Sequence, residues 1–571
     1  MKSSMAWLRQ LTGSRAAQKT CERAYTKAAA AKPFLGGRWC LVAEQREGHR
    51  LTLKRELGLW ALVATAVCTV VGGGINVLSI EIQEAVPGVG GLVPLAFAIG
   101  ALPALLVAAA YAALASAMPR AGGAYVYISR GLSPFLGFMA TFSQWYGFSV
   151  ACGVIAYMDV ALLKAAALYA HLDSLAAWLE TPAARLGVPI AMLWLFWFIN
   201  YIGVRVYGLT VSVLMLTMFA GGAVMLGASL AANHDVFAQA MLAKRQVNVQ
   251  EVIARYVPPP NLHALGPLAK AVVMLFFAYI GFETASQAGG EARNPRRTLP
   301  LALMVSAVVI AGYYVSLSYG LYHAAPWQYV AQIVHEHEAE LSMPEILGVL
   351  MPAGLAVFVA LMAAVVLADD LPPMLLGSSR LFYAWACDGV FPQRWAAVHR
   401  RFRTPGIALT ATTVFASLGA LGCHRFGAAK LGVDAVVLAI LFNYAITGLT
   451  LITLRHRNPQ LHEQMTFLRK RWEQVAVGAA TVGIIGTMLV VQIWDNLAKY
   501  VEAARKALEA GQPAWEAWLA NMPACAVFPW LTMLIVGAII FAASWRRAAR
   551  EGQDLASTFR QLPVEEEGVE G

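Results

Sequence analysis

The sequence predicts an all-α membrane protein of about twelve transmembrane helices, on three observations. Of its 571 residues, 59% are hydrophobic and 13% are charged, whereas soluble domains carry about 25% charged residues. Twelve stretches have the roughly 20 mostly apolar residues that a transmembrane helix needs. The first and the sixth stretch are interrupted by glycine, and interruptions at corresponding places in two halves indicate a 5+5 inverted-repeat fold with broken helices 1 and 6.

The predicted spans divide the chain into tails, repeats and two additional helices. A basic N-terminal tail covers 1–56, the two repeats cover 57–232 and 264–455 within one core over 57–455, helices 11 and 12 lie in 456–545, and an acidic tail covers 546–571. The spans lie near 57–84, 91–116, 134–162, 188–203, 206–232, 264–288, 299–323, 346–383, 405–422, 433–454, 474–494 and 527–545.

The distribution of basic residues predicts the orientation in the membrane. The net charge of +10 would suggest a nucleic-acid partner in a soluble protein. Here, however, 32 of the 43 Lys and Arg residues fall in the N-terminal tail, in alternate loops and after the last span, as cytoplasmic segments do. The sequence therefore predicts a multi-pass protein of the plasma membrane with both termini cytoplasmic. The lipid bilayer, rather than nucleic acid, is the predicted partner.

The N-terminal tail has two interpretations. Residues 1–43 combine many basic residues with a single acidic one, Glu22. This balance is typical of an organellar transit peptide and also of a poorly ordered cytoplasmic tail, and we take the cytoplasmic tail as the prediction. The acidic C-terminal stretch 551–571 is predicted to be a solvated, disordered tail.

The motifs of common enzymes are missing. The seven cysteines are scattered, with no CxxC pair, and there is no GxxxxGK[ST] loop, HExxH sequence or GxGxxG loop after a strand. HEHE at 335–338 could bind a metal, but a solvated external loop accounts for it as well. We therefore predict no enzyme activity, no catalytic residue, no cofactor and no metal site.

The two interrupted spans suggest a binding site. Gly72, Gly73 and Gly74 lie near the middle of the first span, and the half-helix that starts near Ile75 would offer unpaired amide groups and a positive dipole end to an anion. In the sixth span Gly281 follows a segment that would offer unpaired carbonyls to an ammonium group. A zwitterionic amino acid carries both charges. Close helix packing is the alternative explanation for each glycine group.

Four motifs resemble the amino acid/polyamine/organocation superfamily of permeases, and the resemblance runs from about residue 57 to residue 545. They are GGGIN at 72–76, PRAGGAYVYISRGLSPFLGF at 119–138, FFAYIGFETASQAGGEARNPRRTLP at 276–300, and SSRLFYAWACDGVFP at 378–392 followed by TPGIAL at 404–409.

The resemblance implies transport of amino acids or related amines by alternating access, coupled to H+ or Na+ or by exchange. It implies that the substrate carboxylate meets the backbone of Gly72, Gly73, Gly74 and Ile75, and that the amine meets carbonyls of Phe277, Ala278 and Ile280. Asn76, Tyr279 and Gly281 complete the predicted substrate-binding set. Two departures stand out: Asn76 replaces a common aromatic residue, and the fifth span lacks the lysine by which some relatives replace sodium.

Three acidic residues within predicted spans are candidates for ion coupling or gating, because a carboxylate in the membrane is costly and usually functional. Glu283 follows the break in the sixth span, where relatives use a glutamate in gating; a structural hydrogen-bond acceptor is the alternative. Asp369 and Asp370 precede Pro372 and Pro373, which cannot donate to the carbonyls four residues earlier. Freed carbonyls beside two carboxylates suit a cation or a proton, whereas a merely kinked helix is the other explanation.

A competing function remains open at this stage. A sensor or receptor could retain the amino acid site and signal without transporting.

Overall fold

A computed structural model of the chain describes residues 52–72, 74–258, 265–336, 342–426, 429–522, 525–551 and 558–562. The predicted N-terminal tail lies outside the described residues as far as residue 51, as does Gly73. Within the described residues the fold is almost entirely helical, and the β-structure is limited to two isolated bridges, Leu57–Ala292 and Ala121–Ala288.

Eleven helices in the described part of the chain are long and apolar enough to cross a membrane. The predicted first span is divided between two shorter helices, and we number the twelve spans in chain order. They are α1a Leu59–Cys68 and α1b Gly74–Ala85, α2 Val93–Ala117, α3 Pro134–Tyr169, α4 Pro182–Tyr201, α5 Val204–Leu230, α6a Leu265–Phe276 and α6b Thr284–Gln287, α7 Pro295–Ala324, α8a Ala353–Ala368 and α8b Leu371–Cys387, α9 Gly406–Phe426, α10 Ala429–Arg457, α11 Arg471–Glu509 and α12 Val527–Arg550.

Shorter helices lie between the spans. They are Ala124–Gly131, Asp173–Glu180, His234–Arg245, Val249–Ala254, Trp327–Glu336, Met343–Leu347, Pro459–Glu463 and Ala514–Asn521. Proline occupies the first turn of α3, α4 and α7, where the missing amide hydrogen costs nothing because that position has no acceptor within the helix.

Helix packing reveals the two repeats. α1a packs against α7, and the corresponding pair in the second repeat, α6a and α2, is also in contact. Likewise α3 packs against α9 and α10, while α8 packs against α4 and α5. Each contact recurs when every helix is replaced by the one five positions away. This exchange of partners is expected for two five-helix repeats related by an approximate two-fold axis, and it confirms the predicted inverted-repeat fold.

The last two spans lie outside this arrangement. α11 packs against α10 and α2, and α12 packs against α3 and α10. α11 is much longer than its predicted span 474–494, since helix-forming Lys, Glu and Ala residues follow the apolar segment as far as Glu509.

Two predictions from the sequence need correction. The eighth span is predicted near 346–383, but its helix begins at Ala353. It is interrupted at Asp369 and Asp370, because the two prolines that follow remove helical amide donors. Phe559 departs from the solvated-tail prediction because it is only 4% exposed, whereas Thr558, Arg560 and Gln561 beside it are exposed. The apolar Phe559 ring packs against Trp545 of α12.

Candidate functional site

The breaks in α1 and α6 approach each other closely. α6a is followed by a single 3-10 turn, Phe277–Tyr279, and by the irregular residues before α6b. A Cβ added to Gly281 in this break would lie 2.7 Å from the carbonyl oxygen of Thr69 in the α1 break. Gly281 also has a φ of +127°, which side chains with a Cβ rarely adopt. Both space and backbone conformation therefore require glycine at position 281.

Tyr314 of α7 connects the two breaks. Its hydroxyl oxygen lies 2.6 Å from the carbonyl oxygen of Val70 and 3.0 Å from that of Ala278. Both carbonyls belong to residues at which a helix has just ended, so they lack the amide donors of a continuous helix. The ring of Tyr314 is buried and packs edge-on against Phe97. One hydroxyl on a rigid helix thereby holds the two broken segments in a fixed relation.

The predicted substrate-binding residues differ in accessibility. Gly74, at the start of α1b, is exposed, and Phe277 and Ile280 are half-buried. Gly73 lies outside the described residues. The remaining members of the predicted set are buried: Gly72, Ile75, Asn76, Ala278, Tyr279 and Gly281. Asn76 has a buried Oδ1 without a hydrogen-bond partner among the described residues, so it retains an acceptor.

The predicted amine-binding carbonyls are already in use. The Phe277 carbonyl accepts from the Ile280 amide at 3.2 Å, and the Ala278 carbonyl has the Tyr314 hydroxyl nearby. A carbonyl oxygen has two lone pairs, so each keeps the capacity for a second donor. The break is therefore more fully hydrogen-bonded than the sequence alone suggests, without being closed to a ligand.

Glu283 lies at the centre of a polar network that joins the two repeats. It is fully buried, and its Oε1 accepts from the side-chain amide of Gln144 in α3 at 2.7 Å. The hydroxyl of Tyr444 in α10 donates to Oε2 and accepts from the Gly281 amide at 3.2 Å. Glu283 therefore links the α6 break to α3 and α10 through both carboxylate oxygens.

The network continues in α10. The Asn443 side-chain amide donates to Gln144 Oε1 at 2.6 Å, while the buried Asn443 Oδ1 has no partner among the described residues. The sequence analysis did not identify Gln144. An uncharged amide within an apolar span was the available signal, since such residues in membrane helices usually bond across helices.

Asp369 and Asp370 lie in the interruption of α8, against the α1 break. Asp370 is in contact with Gly72: a Cβ on Gly72 would overlap the Asp370 carboxylate, whose Cγ would be only 2.8 Å away. Asp369 is fully buried, and neither of its carboxylate oxygens has a hydrogen-bond partner among the described residues. Asp370 Oδ1 is likewise buried and unpartnered there. The Cys68 thiol interacts electrostatically with Asp369 and lies 3.4 Å from the Val211 carbonyl oxygen.

Asp159 of α3 is a third carboxylate in this region, and it was missed from the sequence. It is 1% exposed, with an unpartnered Oδ1 among the described residues, and it interacts electrostatically with Asp369 and Asp370. Its position inside a long apolar span was the signal that could have identified it. In the described part of the chain, no three His, Cys, Asp or Glu side chains are placed to hold a metal ion.

Two buried arginine–carboxylate pairs lie at the predicted cytoplasmic end. Arg380 of α8b donates to both oxygens of Glu291 at 3.1 and 2.5 Å. Arg130 donates to both oxygens of Asp388 at 2.6 and 2.9 Å. These side chains are at most 2% exposed. In the sequence, both arginines serve only as markers of orientation. In the structure, each forms a bidentate ion pair with one carboxylate, which is a strong interaction.

Comparisons with known proteins agree with this architecture. A family model described as amino acid permease matches residues 57–504. The branched-chain amino acid permease of Bacillus subtilis is 25% identical over 72% of this chain and 83% of its own length. Human cationic amino acid transporter 4 is 26% identical over 71% of this chain and 60% of its length. A low-affinity putrescine importer of Escherichia coli is 24% identical over 75% of this chain and 89% of its length.

Proposed function

This chain belongs to the amino acid permease family, and from that premise we propose that it carries amino acids or related amines across the plasma membrane by alternating access. It is a multi-pass membrane transporter of small molecules and not an enzyme. The proposal concerns the substrate class, the mechanism and the membrane, with both termini on the cytoplasmic side.

The approach of the two breaks is the observation that carries the proposal. The exposed start of α1b at Gly74 offers amide groups and a positive dipole end to a carboxylate. The half-buried residues Phe277 and Ile280 border the end of α6a, where carbonyls suit an ammonium group. Because Gly281 and Thr69 bring these segments together, one small zwitterion or amine could contact both.

We further propose that Asp369 and Asp370 couple transport to a cation, either H+ or Na+. Buried carboxylate oxygens without hydrogen-bond partners are costly, and binding a cation or a proton removes that cost. Asp159 adds a third carboxylate that interacts with this pair, which strengthens the attraction for a cation or a proton. Asp370 contacts Gly72 directly, so occupancy of this acidic cluster can affect the backbone that binds substrate.

We propose that Glu283 is a gating residue, because its hydrogen bonds join the α6 break to two other helices. Its carboxylate is held from α3 by Gln144 and from α10 by Tyr444, while its own backbone leads into α6b. A movement of α6b relative to these two helices must change those hydrogen bonds. Binding at the α6 break can thereby be transmitted to the helices that surround it.

The test is uptake into proteoliposomes that contain the purified full-length chain. An amino acid and amine panel is offered under a sodium gradient and, separately, under a proton gradient. We expect at least one compound to accumulate under one of the gradients. Saturable binding without flux would instead favour a sensor, and neither binding nor flux for any compound would contradict the proposal.

Coupling is tested with Asp369→Asn and Asp370→Asn. Each should abolish gradient-driven accumulation while substrate exchange at equal ion concentrations persists. Asp173→Asn is the matched control, because Asp173 is exposed in a short helix outside the spans and its loss should leave accumulation unchanged. Unchanged accumulation in either buried variant removes that residue from the coupling mechanism.

A further inference from the structure

Residues 558–562, which we call the C-terminal segment, are packed against the predicted cytoplasmic end. The Phe559 ring is buried and stacks with Trp545 of α12, with ring centroids 6.5 Å apart. The guanidinium carbon of Arg130 lies 5.2 Å from the centroid of the same ring, within the range of a cation–π interaction. The segment is thus fixed by a specific aromatic anchor.

Two backbone carbonyls that follow this anchor in the chain accept further hydrogen bonds. The Arg130 Nε group donates to the Gln561 carbonyl at 3.1 Å. The Asn458 side-chain amide donates to the Arg560 carbonyl at 3.0 Å, while the Arg560 side chain is itself exposed. Since carbonyls make these bonds, they depend on where the segment lies and not on the side chains of residues 560 and 561.

The first bond satisfies a remaining donor of the buried Arg130 guanidinium. Arg130 already gives two hydrogen bonds to Asp388 and one to Ser129. The C-terminal segment supplies the acceptor for the Nε group, which is the Gln561 carbonyl. It also places the Phe559 ring against the guanidinium. A buried guanidinium is stable only when its donors are satisfied, so the segment supports the link that Arg130 makes between the short helix Ala124–Gly131 and the end of α8b.

The second bond reaches the connection between α10 and α11. Asn458 is the first residue of this connection, which contacts α2 and α7. The Thr466 amide donates to Ser116 at the end of α2 at 3.0 Å, and Arg296 at the start of α7 donates to Gln464 at 2.9 Å. Through Asn458, the C-terminal segment is therefore joined to α2 and α7.

We infer that the C-terminal segment is an intramolecular latch that stabilises the state closed at the predicted cytoplasmic end. Through Arg130 it connects to the end of α8b and to the helix Ala124–Gly131, which packs against α3. Through the α10–α11 connection it connects to α2 and α7. The Arg380–Glu291 pair spans the same boundary, between α8b and the residues after α6b. Alternating access requires one group of helices to move against the other, and opening at this end would have to release the latch. The inference rests on the proposed transport function.

The experiment compares four variants of the full-length protein in lipid nanodiscs by hydrogen–deuterium exchange. One removes residues 558–571; Phe559→Ala removes the anchor; Asn458→Asp removes the amide donor but keeps the oxygen that caps the following helix at Leu461. Arg560→Ala is the control, because its exposed side chain is lost while its carbonyl remains. The same proteins are assayed for uptake in proteoliposomes.

We expect exchange in residues 284–292 and 121–131 to become about fivefold faster in the first three variants, as local opening becomes easier, and to stay at the wild-type rate in Arg560→Ala. Uptake rates should change in the same three variants. Wild-type exchange in both Phe559→Ala and Asn458→Asp overturns the latch even if the truncated chain fails to fold. Absence of uptake by the wild type contradicts the transport proposal, and the exchange data still decide on the latch.

Discussion

The carboxylate of Asp370 lies directly against the Cα atom of Gly72, so that the interruption of α8 is in contact with the interruption of α1. Any side chain at position 72 would occupy the space of the carboxylate. The acidic cluster and the α1 break are consequently parts of one structure. The proposed ion site and the proposed substrate site are therefore in direct contact.

Gly72→Ala should abolish transport while the protein remains folded in the membrane. The added methyl group overlaps Asp370, and overpacking of this kind typically costs about 1–3 kcal/mol, which the interrupted segments can relieve by moving apart. Substrate binding and uptake are measured together with a melting curve in detergent. Gly312→Ala is the control, because a Cβ there meets no atom within 4 Å.

The overlap can also be relieved in a second variant. Gly72→Ala combined with Asp370→Ala should recover part of the lost thermal stability, since the smaller side chain at position 370 leaves room for the methyl group. If the double variant is as unstable as the sum of both single changes, the contact between these residues is not the cause.

Tyr314→Phe should weaken substrate affinity, because the two breaks lose the hydroxyl that lies between their carbonyls. We expect a loss of about 1 kcal/mol in stability, the typical net value of a hydrogen bond, and a lower affinity in equilibrium binding. Tyr313→Phe is a closely matched control, since the neighbouring hydroxyl is 3.4 Å from the Met218 carbonyl. Equal affinity in both variants would show that Tyr314 does not position the site.

Glu283→Gln should reduce uptake more than it reduces stability. A glutamine offers only one acceptor oxygen, so its NH2 group must face either the Gln144 amide or the Tyr444 hydroxyl, and both are donors to Glu283. An unsatisfied buried group costs about 1–3 kcal/mol, or roughly a factor of ten in rate if the cost falls on the gating step. Initial uptake rates and melting midpoints are compared; equal losses in Tyr444→Phe support the network.

A purely structural glutamate would behave differently. In that case Glu283→Gln lowers the melting midpoint, but the folded fraction that remains transports at the wild-type rate. This outcome would remove Glu283 from the gating proposal and leave it as a helix-packing residue.

Arg380→Ala should destabilise the protein by about 3–5 kcal/mol, because the Glu291 carboxylate is left buried and unpaired. The double variant with Glu291→Ala should be more stable than Arg380→Ala alone, since no isolated charge remains. Thermal unfolding of the two variants in the same detergent provides the comparison. A double variant less stable than Arg380→Ala would mean that the pair contributes little and that the two side chains act by packing.

The sequence by itself predicted most of the fold. Apolar segments long enough to span a bilayer must form helices, because no water is available inside it to bond the backbone, and twelve segments therefore defined the twelve spans. Glycine at 72–74 and at 281 located both breaks, since only a segment of low helix propensity unwinds at that depth. The paired prolines after Asp370 are equally visible in the sequence, but they are compatible with both an interruption and a mere kink of α8.

Only the tertiary structure decided which polar groups meet. Gln144 reaches Glu283, Asp159 approaches Asp369, and the Gln561 carbonyl reaches Arg130 although these two residues are separated by 431 positions in the chain. No local periodicity encodes such contacts, because they depend on how helices cross. The sequence determined where the chain enters the membrane and where its helices break; the packing of those helices determined which buried charges are neutralised and which are left for a ligand.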